Sequence, residues 1–557
     1  MGFVNIGAII SLISILSAIQ HCSVLATREE VSVLHNVTSN KYEIVTGVQE
    51  NAVGWAIYNN QINQTGWAQL EVHTNPSAAD TVQAYAAGLA EGFITRQLIN
   101  WHWQNTIGNF CAPPYSDYCK KLKNYLDTNM KWMTDQVQEN AKTDPYWHQV
   151  ELFLVQLNGL EDGYSNNTGS PRFKVDYIFG VFLFQISGDL EDLESALKGT
   201  ATQRLMGHGH CSALIKLLPD NKDLYVAQDT WTVYNTMLRI LKKYDFGYHM
   251  LEGLSSDRVP GSQMTFSSYP GTLFSGDDFY IISSGLVTQE TTIGNSNASL
   301  WKNIKPTGSV LEVIRNQVAN RLASNGAEWA QIFSKYNSGT YNNQWMVVDY
   351  NQFRPGWTRQ GKGLLTVLEQ IPGFIEWDDL TSLLEKQTYF PSYNTPYFSA
   401  IFNMSGGTEM VKKYGDWFSY DKTPRALIFK RDHTTVTDLN SMTKLMRYNN
   451  FQKDPLSKCN CTPPFSGENA ISARCDLNPS NGTYPFGALG HRPHGATDMK
   501  LTSYNLMKDM EFIAFGGPTY DPLPAFQWSK SDYGKTLSHT GHPDLWKFEP
   551  ITVKWTK

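Results

Sequence analysis

Regular spacing of apolar and polar residues predicts the elements of the first third of the chain. Residues 49–74 alternate apolar and polar positions around a polar turn, which predicts a β-hairpin. Apolar residues then recur at helical spacing over residues 78–103, 118–141 and 146–160, and a short acidic helix is predicted over 189–197. A helical region therefore follows the hairpin.

The pattern changes near Gly207, where short apolar runs separated by turn residues predict strands. The tail from residue 453 is rich in Pro, Gly, Asn and His, so we expect it to wrap the surface. The predicted strands are 211–218 and 224–227, joined by the turn 219–222, and two runs within 265–292, separated by 275–278. Helices followed by such strands indicate an α+β fold with antiparallel strands.

The beginning of the chain resembles a secretory signal. Residues 6–19 are apolar, and no charged side chain precedes Arg28. This run is shorter than the roughly 20 residues of a membrane span, but it suits the apolar region of a signal peptide. We expect a signal peptide over 1–26, with cleavage before Thr27. The later apolar run 178–186 is predicted to be a core element, so no transmembrane anchor is expected.

Composition narrows the class of protein. Hydrophobic residues make up 41% of the chain and aromatic residues 13%, which is enough to build a large core. The net charge is −6 and no basic block is present, so nucleic acid is not an expected partner.

Glycosylation sequons support passage through the secretory pathway, with the lysosome or the extracellular space as the destination. The sequon asparagines are Asn36, Asn63, Asn166, Asn297, Asn403, Asn460 and Asn481.

Seven cysteines are present, and Cys22 would leave with the signal peptide. Cys111 and Cys119 are close in sequence and are predicted to form a disulfide in an oxidising compartment. Two members of the trio Cys459, Cys461 and Cys475 should form a second disulfide. Cys211 stands apart from both groups. Parity leaves two alternatives open: Cys211 pairs with the odd member of the trio, or its thiol stays free for chemistry.

Several common catalytic motifs are absent from the sequence. It has no G-x-S-x-G elbow, no H-E-x-x-H and no P-loop. Two histidine pairs are present, His208 with His210 and His491 with His494. Neither has a third ligand at a spacing typical of metal-binding motifs. We therefore expect no metal and no cofactor.

The segment 207–214, Gly-His-Gly-His-Cys-Ser-Ala-Leu, carries the sharpest chemical signal. A glycine-containing segment runs directly into a nucleophile at the start of a predicted strand. Attack of the Cys211 thiol on the carbonyl of His210, followed by hydrolysis, would free Cys211 as a new amino terminus. Its α-amine could then act as base for its own thiol.

These residues, with motifs further along the chain, resemble the phospholipase B-like family of lysosomal and secreted proteins related to insect laminin-ancestor protein. The resemblance covers nearly the whole mature chain. It rests on the segments 207–216, Gln228-Asp229-Thr230-Trp231, Ser275-Gly276-Asp277-Asp278-Phe279-Tyr280, Tyr393-Asn394-Thr395-Pro396-Tyr397-Phe398, Pro424-Arg425-Ala426-Leu427-Ile428-Phe429 and Gly541-His542-Pro543-Asp544-Leu545-Trp546.

The resemblance implies an N-terminal nucleophile hydrolase fold, a four-layer αββα sandwich of two antiparallel sheets. It implies cleavage at the His210–Cys211 junction, giving fragments 27–210 and 211–557 that share one αββα body.

The resemblance also implies roles for individual residues. Cys211 would be the nucleophile, and Asp229 and Trp231 would sit on the strand turn facing it. Asp229 would orient the α-amine, and Trp231 would wall the site. Asn394 would donate to the oxyanion, and Arg425 would stabilise developing charge and hold Asn394 in place.

The function implied is removal of fatty acyl chains from phospholipids or lysophospholipids. The alternatives are an amidase acting on N-acyl lipids or small peptides, and a non-catalytic secreted glycoprotein in which Cys211 is disulfide-bonded. The expected partner is a lipid or N-acyl small molecule, and for the assembly a homodimer is left open.

Overall fold

A computed structural model of the chain describes residues 28–108, 110–173, 175, 178–198, 211–253, 256–357 and 361–556. The expected signal peptide, His208 and the His210 side of the expected cleavage junction lie outside these residues. Among the helices described, none is both long enough and apolar enough to cross a bilayer.

Runs of several helices and of several strands follow one another along the described chain. The strands are β1 (Arg28–Asn36), β2 (Lys41–Thr46), β3 (Gly54–Gln61), β4 (Trp67–Thr74), β5 (Cys211–Leu217), β6 (Leu224–Val233), β7 (Ile240–Asp245), β8 (Gln263–Ser268), β9 (Phe279–Ile282), β10 (Leu286–Thr292), β11 (Asn343–Asp349), β12 (Leu365–Ile371), β13 (Phe374–Asp379), β14 (Tyr389–Ser392), β15 (His494–Ala496), β16 (Asp498–Thr502), β17 (Phe512–Gly516), β18 (Phe526–Gln527), β19 (Leu545–Trp546) and β20 (Ile551–Val553). The α-helices are α1 (Ile62–Thr65), α2 (Asp80–Ile94), α3 (Arg96–Thr106), α4 (Asp117–Asn140), α5 (Pro145–Tyr164), α6 (Phe182–Gln185), α7 (Ser187–Lys198), α8 (Glu312–Leu322), α9 (Gly326–Phe333), α10 (Thr381–Gln387), α11 (Ser399–Met404), α12 (Gly407–Tyr414), α13 (Pro424–Asp432), α14 (Leu439–Met446) and α15 (Tyr504–Lys508).

Most strands belong to two sheets. The large sheet has the order β13-β12-β11-β10-β9-β8-β7-β4-β3-β1-β2. Its neighbours are antiparallel except for β4 and β7, which run parallel. The small sheet has the order β14-β5-β6-β16-β17-β20, and β15 also pairs with β6.

Every residue of strand β5 is buried, and most of them are apolar. Ala213 and Ile215 point between the two sheets and share a core with Leu241 and Val348 of the large sheet. Leu214 points the other way. Because both faces of β5 are covered, apolar and polar residues do not alternate along it. Its two polar residues, Ser212 and Lys216, are buried as well.

Helices cover the outer face of each sheet. Leu214 of the small sheet packs in one cluster with Phe429 of α13 and Met446 of α14. On the other side, α2, α4, α5, α8 and α9 pack on the large sheet. The predicted α+β sandwich is confirmed, and the apolar clusters place its four layers in the order helix, sheet, sheet, helix.

Four glycines, Gly88 and Gly92 of α2 and Gly159 and Gly163 of α5, allow these two helices to come into close contact. A Cβ at Gly88 would lie 1.9 Å from the carbonyl oxygen of Gln156, and one at Gly159 would lie 2.2 Å from that of Tyr85. Any larger residue would force the helices apart, so this helical layer is built around backbone contact.

Most predicted elements are confirmed, and two expectations are wrong. The hairpin over 49–74 is β3 and β4, and the predicted helices correspond to α2 to α5 and α7. The second strand-like run in 265–292 is a hairpin of two strands, β9 and β10. The tail does not only wrap the surface, because β16, β17 and β20 belong to the small sheet. These strands are too short for their alternation to stand out among Pro and Gly residues.

Candidate active site

Cys211 is the first residue of β5, directly opposite Thr230 of β6. Its side chain is buried, with 3% exposed. It lines a cavity of about 170 Å³, the Cys211 cavity, together with Thr230, Trp231, Thr292 and other residues. The thiol at the start of this buried strand therefore faces a cavity.

The described cysteines divide into bonded and free groups. Cys111 is bonded to Cys119, and Cys459 to Cys461. Cys211 and Cys475 are free and buried. The alternative in which Cys211 pairs with the odd member of the trio is therefore not what the structure contains.

Arg425, on the first turn of α13, joins several of the expected site residues. Its Nη1 donates to the carbonyl oxygen of Cys211 at 2.6 Å, and its Nη2 donates to Asn394 Oδ1 at 2.7 Å. The guanidinium lies 4.3 Å from the ring centroid of Trp231. Burial lowers the pKa of Arg425 to about 10, so it remains charged at neutral and acid pH.

Asn394 follows β14, the strand that pairs with β5. Its φ of 67° lies in the left-handed region, which asparagine tolerates better than most residues. Nδ2 donates to the carbonyl oxygen of Thr292 at 2.7 Å, and Thr292 lines the Cys211 cavity. The amide is thus fixed at both ends beside the cavity wall.

Asp229 and Trp231 lie within β6 and not in the turn between β5 and β6, which corrects their expected position. The hydrogen-bonding register places Asp229 opposite Ser212, the residue after Cys211. Trp231 Nε1 donates to Asp229 Oδ2 at 3.3 Å. Among the residues that the structure describes, Asp229 Oδ1 has no hydrogen-bond partner. Burial raises the pKa of this carboxyl well above its usual range.

Sequence reasoning missed a buried charge network next to Cys211. Lys500 of β16 donates to Thr230 Oγ1 at 2.7 Å and pairs with Asp498 at 2.8 Å and Asp277 at 3.0 Å. Arg239 also pairs with both carboxylates. Asp277 belongs to the Ser275–Asp278 motif, but nothing in the sequence links it to Lys500.

Charges around Cys211 act on its thiol in opposite directions. Burial raises the pKa of Cys211 well above its usual value, and the nearby carboxyl group of Glu290 raises it further. Lys500 and a hydrogen bond from the backbone of Trp231 lower it. The raised pKa favours the neutral thiol in this environment.

His102 of α3 also lines the Cys211 cavity, and sequence reasoning did not single it out. Its ring stacks between Phe184 and Tyr269, at centroid distances of 5.0 and 5.6 Å. Burial lowers the pKa of His102 to about 3, and Arg239 and Lys242 contribute to this shift. The ring is neutral at pH values well below neutrality.

All of the sequon asparagines except Asn297 are exposed. Asn297 is half-buried, and its Nδ2 donates to the carbonyl oxygen of Met404 at 2.9 Å. The exposed sites are accessible for modification as they stand.

Comparison with known proteins identifies the class to which this fold and site belong. The Phospholipase B family model matches residues 54–553. The chain is a member of that family.

Curated relatives narrow the resemblance further. A "Putative phospholipase B-like 2" of Bos taurus is 54% identical over 529 residues, covering 94% of this chain and 89% of the relative. The protein of the same name from Homo sapiens is 52% identical over 531 residues, with the same two coverages. "Phospholipase B-like protein B" of Dictyostelium discoideum is 38% identical over 520 residues, covering 91% of this chain and 86% of the relative.

Proposed function

We propose that this protein is an acyl hydrolase whose nucleophile is Cys211, freed as a new amino terminus by self-cleavage of the His210–Cys211 bond. The observation that carries the proposal is the placement of Cys211. It is a free, buried thiol at the first position of β5, it faces a cavity, and Arg425 binds its carbonyl oxygen. Membership of the phospholipase B family supports a lipid ester as substrate.

Self-cleavage would begin with attack of the Cys211 thiol on the carbonyl carbon of His210. The peptide bond is exchanged for a thioester, and the former amide nitrogen becomes the α-amine of Cys211. Water then hydrolyses the thioester, which leaves a carboxylate on His210 and restores the thiol. The chain supplies both the nucleophile and the electrophile, so no cofactor takes part.

The carboxyl group of Asp229 suits the cleaved chain better than the uncut one. It is buried, and one of its oxygens has no partner within the described part of the protein. A charged or hydrogen-bonding α-amine at Cys211 would supply a partner close to this carboxyl group, since Ser212 lies directly opposite Asp229. We assign Asp229 to orienting the amine that serves as base.

During turnover, the α-amine takes the thiol proton and the thiolate attacks the substrate carbonyl. The negative charge then develops on the carbonyl oxygen. The Asn394 amide, held by Arg425 and by Thr292, is the donor that we assign to this oxyanion. The amine returns its proton to the leaving alcohol, and water hydrolyses the resulting thioester to release the fatty acid.

Cavity size bears on the substrate. At about 170 Å³ the Cys211 cavity is smaller than a typical ligand site of roughly 300–1,000 Å³. It has room for the reacting carbonyl and a short part of an acyl chain, so the rest of a lipid would remain outside it. We propose phospholipids or lysophospholipids as substrates in the lysosome or outside the cell, where exposed sequons and disulfides are in keeping with the compartment.

The test compares a lysophospholipid ester with the amide that carries the same acyl chain. Mass spectrometry of released fatty acid at pH 5 and pH 7 measures turnover, and Cys211→Ala is the control. We expect release from the ester that the control abolishes. Release from the amide alone would replace the esterase proposal with the amidase alternative. Equal release by wild type and Cys211→Ala would remove Cys211 from the mechanism.

A further inference from the structure

A second group of buried side chains lies behind Trp231, outside the lining of the Cys211 cavity. Glu468, Cys475 and His494 each offer a metal-ligating atom, and these atoms all lie within 4.8 Å of one another. Their exposed fractions are 2%, 0% and 1%. Two come from the loop before β15 and the third from β15 itself, so the fold brings together donors that are separated in sequence.

The histidine pair in the sequence, His491 and His494, is divided by the structure. His491 Nδ1 lies 2.6 Å from the carbonyl oxygen of Asn478, and its Nε2 lies 3.2 Å from Asp532. His494 instead faces Glu468 and Cys475. The possible metal ligands near His494 are therefore a cysteine and a glutamate that are far from it in sequence. The spacing of histidines along the sequence does not reveal them.

We propose that Glu468, Cys475 and His494 bind one zinc ion. Thiolate sulfur, imidazole nitrogen and carboxylate oxygen are the three donor types that zinc takes in proteins, and three protein ligands leave a fourth position for water. Cys475 is free, whereas Cys111, Cys119, Cys459 and Cys461 are all disulfide-bonded.

Neighbouring groups already orient the carboxylate. Arg492 Nη2 donates to Glu468 Oε2 at 2.8 Å, and Cys475 Sγ lies 2.9 Å from the same oxygen. Glu468 Oε1 is buried and has no partner among the residues described. Zinc would take the place of the thiol proton, which passes to solvent. Arg492 would keep Oε2 while Oε1 binds the metal, as outer hydrogen bonds commonly do for ligating carboxylates.

The zinc ion would connect the tail to the small sheet. Cys475 packs with Trp231, Ala473 and Ala496 in one apolar cluster. His494 pairs with Val233 of β6. A metal held by Cys475 and His494 would therefore tie this loop to the strand that carries Trp231.

The first test measures the zinc content of full-length protein secreted into zinc-supplemented medium and dialysed against metal-free buffer. We expect about one zinc per chain in the wild type. The Cys475→Ser and His494→Gln variants should lose most of this zinc. The control is His491→Gln, a nearby histidine outside the cluster, which should keep it.

Cobalt gives a second readout that does not depend on the variants folding. Wild-type protein produced with Co²⁺ should show the thiolate-to-cobalt charge-transfer absorption in the near ultraviolet, because Cys475 is the proposed sulfur ligand. Wild-type protein without zinc and without this band would overturn the proposal, as would zinc retained in a folded Cys475→Ser variant. None of these readouts depends on turnover, so the proposed hydrolase could fail while the zinc site stands.

Discussion

The two free cysteines in the described part of the chain are both buried, but they lie in different surroundings. Cys211 begins a strand and lines a cavity, with Arg425 on its carbonyl oxygen and Lys500 across the neighbouring strand. Cys475 lies in a loop, packed against Trp231, with a carboxylate 2.9 Å from its sulfur. Burial raises the pKa of both thiols.

The difference teaches that burial and a free thiol do not define a nucleophile. A nucleophile needs space for a substrate, a base and a donor for developing charge. Cys211 lines a cavity, and in the proposed mechanism its own α-amine and Asn394 supply the base and the donor. The surroundings of Cys475 offer other metal-ligating atoms instead. The same side chain therefore leads to two different proposals. The first prediction below separates the two cysteines, and the others test the surroundings of Cys211.

The largest effect is expected from Cys211→Ser. A hydroxyl is a far weaker nucleophile than a thiol, so turnover should fall close to background, while secretion and thermal melting stay near those of the wild type. Fatty acid release measures this. Cys475→Ser should retain clearly more turnover than Cys211→Ser, and the reverse order would mean that the nucleophile has been misassigned.

Lys500→Met tests the charge network beside Cys211. Lys500 is fully buried and pairs with Asp277 and Asp498, so its loss leaves buried carboxylates with less compensation. We expect a cost of about 3–5 kcal/mol in the free energy of unfolding, measured by chemical denaturation. The control is Lys222→Met, because Lys222 is 73% exposed and 3.9 Å from Asp220, and it should change little. If Lys500→Met lowered the free energy of unfolding no more than Lys222→Met does, the charge network would not contribute to stability.

Asn394→Asp removes the amide donor but keeps the size of the side chain and its tolerance of a left-handed backbone. Removing one oxyanion donor typically lowers the rate by about 10²–10³-fold. We expect a loss of this size in kcat, together with a lower melting temperature, because the aspartate no longer donates to the carbonyl oxygen of Thr292. Asn40→Asp is the matched control, because Asn40 has a φ of 50° in a turn of the large sheet. A variant that keeps wild-type kcat would exclude Asn394 from the oxyanion site.

The smallest expected effect comes from His102, and it concerns how the free energy of unfolding depends on pH. The pKa of His102 is about 3 in the folded protein, against about 6.5 for an unperturbed histidine. The unfolded chain therefore binds the extra proton as pH falls below 6.5, and the folded state loses about 2 kcal/mol by pH 5.

We expect His102→Gln to flatten the fall in unfolding free energy between pH 6.5 and pH 5. Denaturation at both pH values in wild type and variant gives this difference directly, without relying on absolute stability. Parallel pH dependences would mean that His102 is not buried as a neutral ring beside Cys211.

The sequence allowed the layered fold and the central site residues to be predicted for different reasons. Alternation and helical spacing identified β3, β4 and the long helices, because each presents one face to a core. The four-layer arrangement, Asp229, Trp231, Asn394 and Arg425 came from family motifs, and Cys211 came from its own segment as well as from those motifs. The structure brings the five residues into one connected set.

The features that were missed depend on contacts between distant segments. Lys500 meets Thr230 and Asp277 only because β16 pairs with β6 and the two sheets stack. His494 meets Glu468 and Cys475 through the path of a loop. The local spacing of apolar and polar residues carries no information about contacts between distant segments. Neither contact could therefore be predicted without the fold.

Self-cleavage before Cys211 is tested most directly by amino-terminal sequencing of the mature protein. Wild type and Cys211→Ala are purified, exposed to acid, separated on a denaturing gel, and each fragment is sequenced. We predict a fragment that begins at Cys211 in the wild type and a single uncut chain in Cys211→Ala, because the variant lacks the attacking sulfur. A Cys211→Ala protein that is still cut before residue 211 would show that an outside protease makes the cut and would contradict self-cleavage.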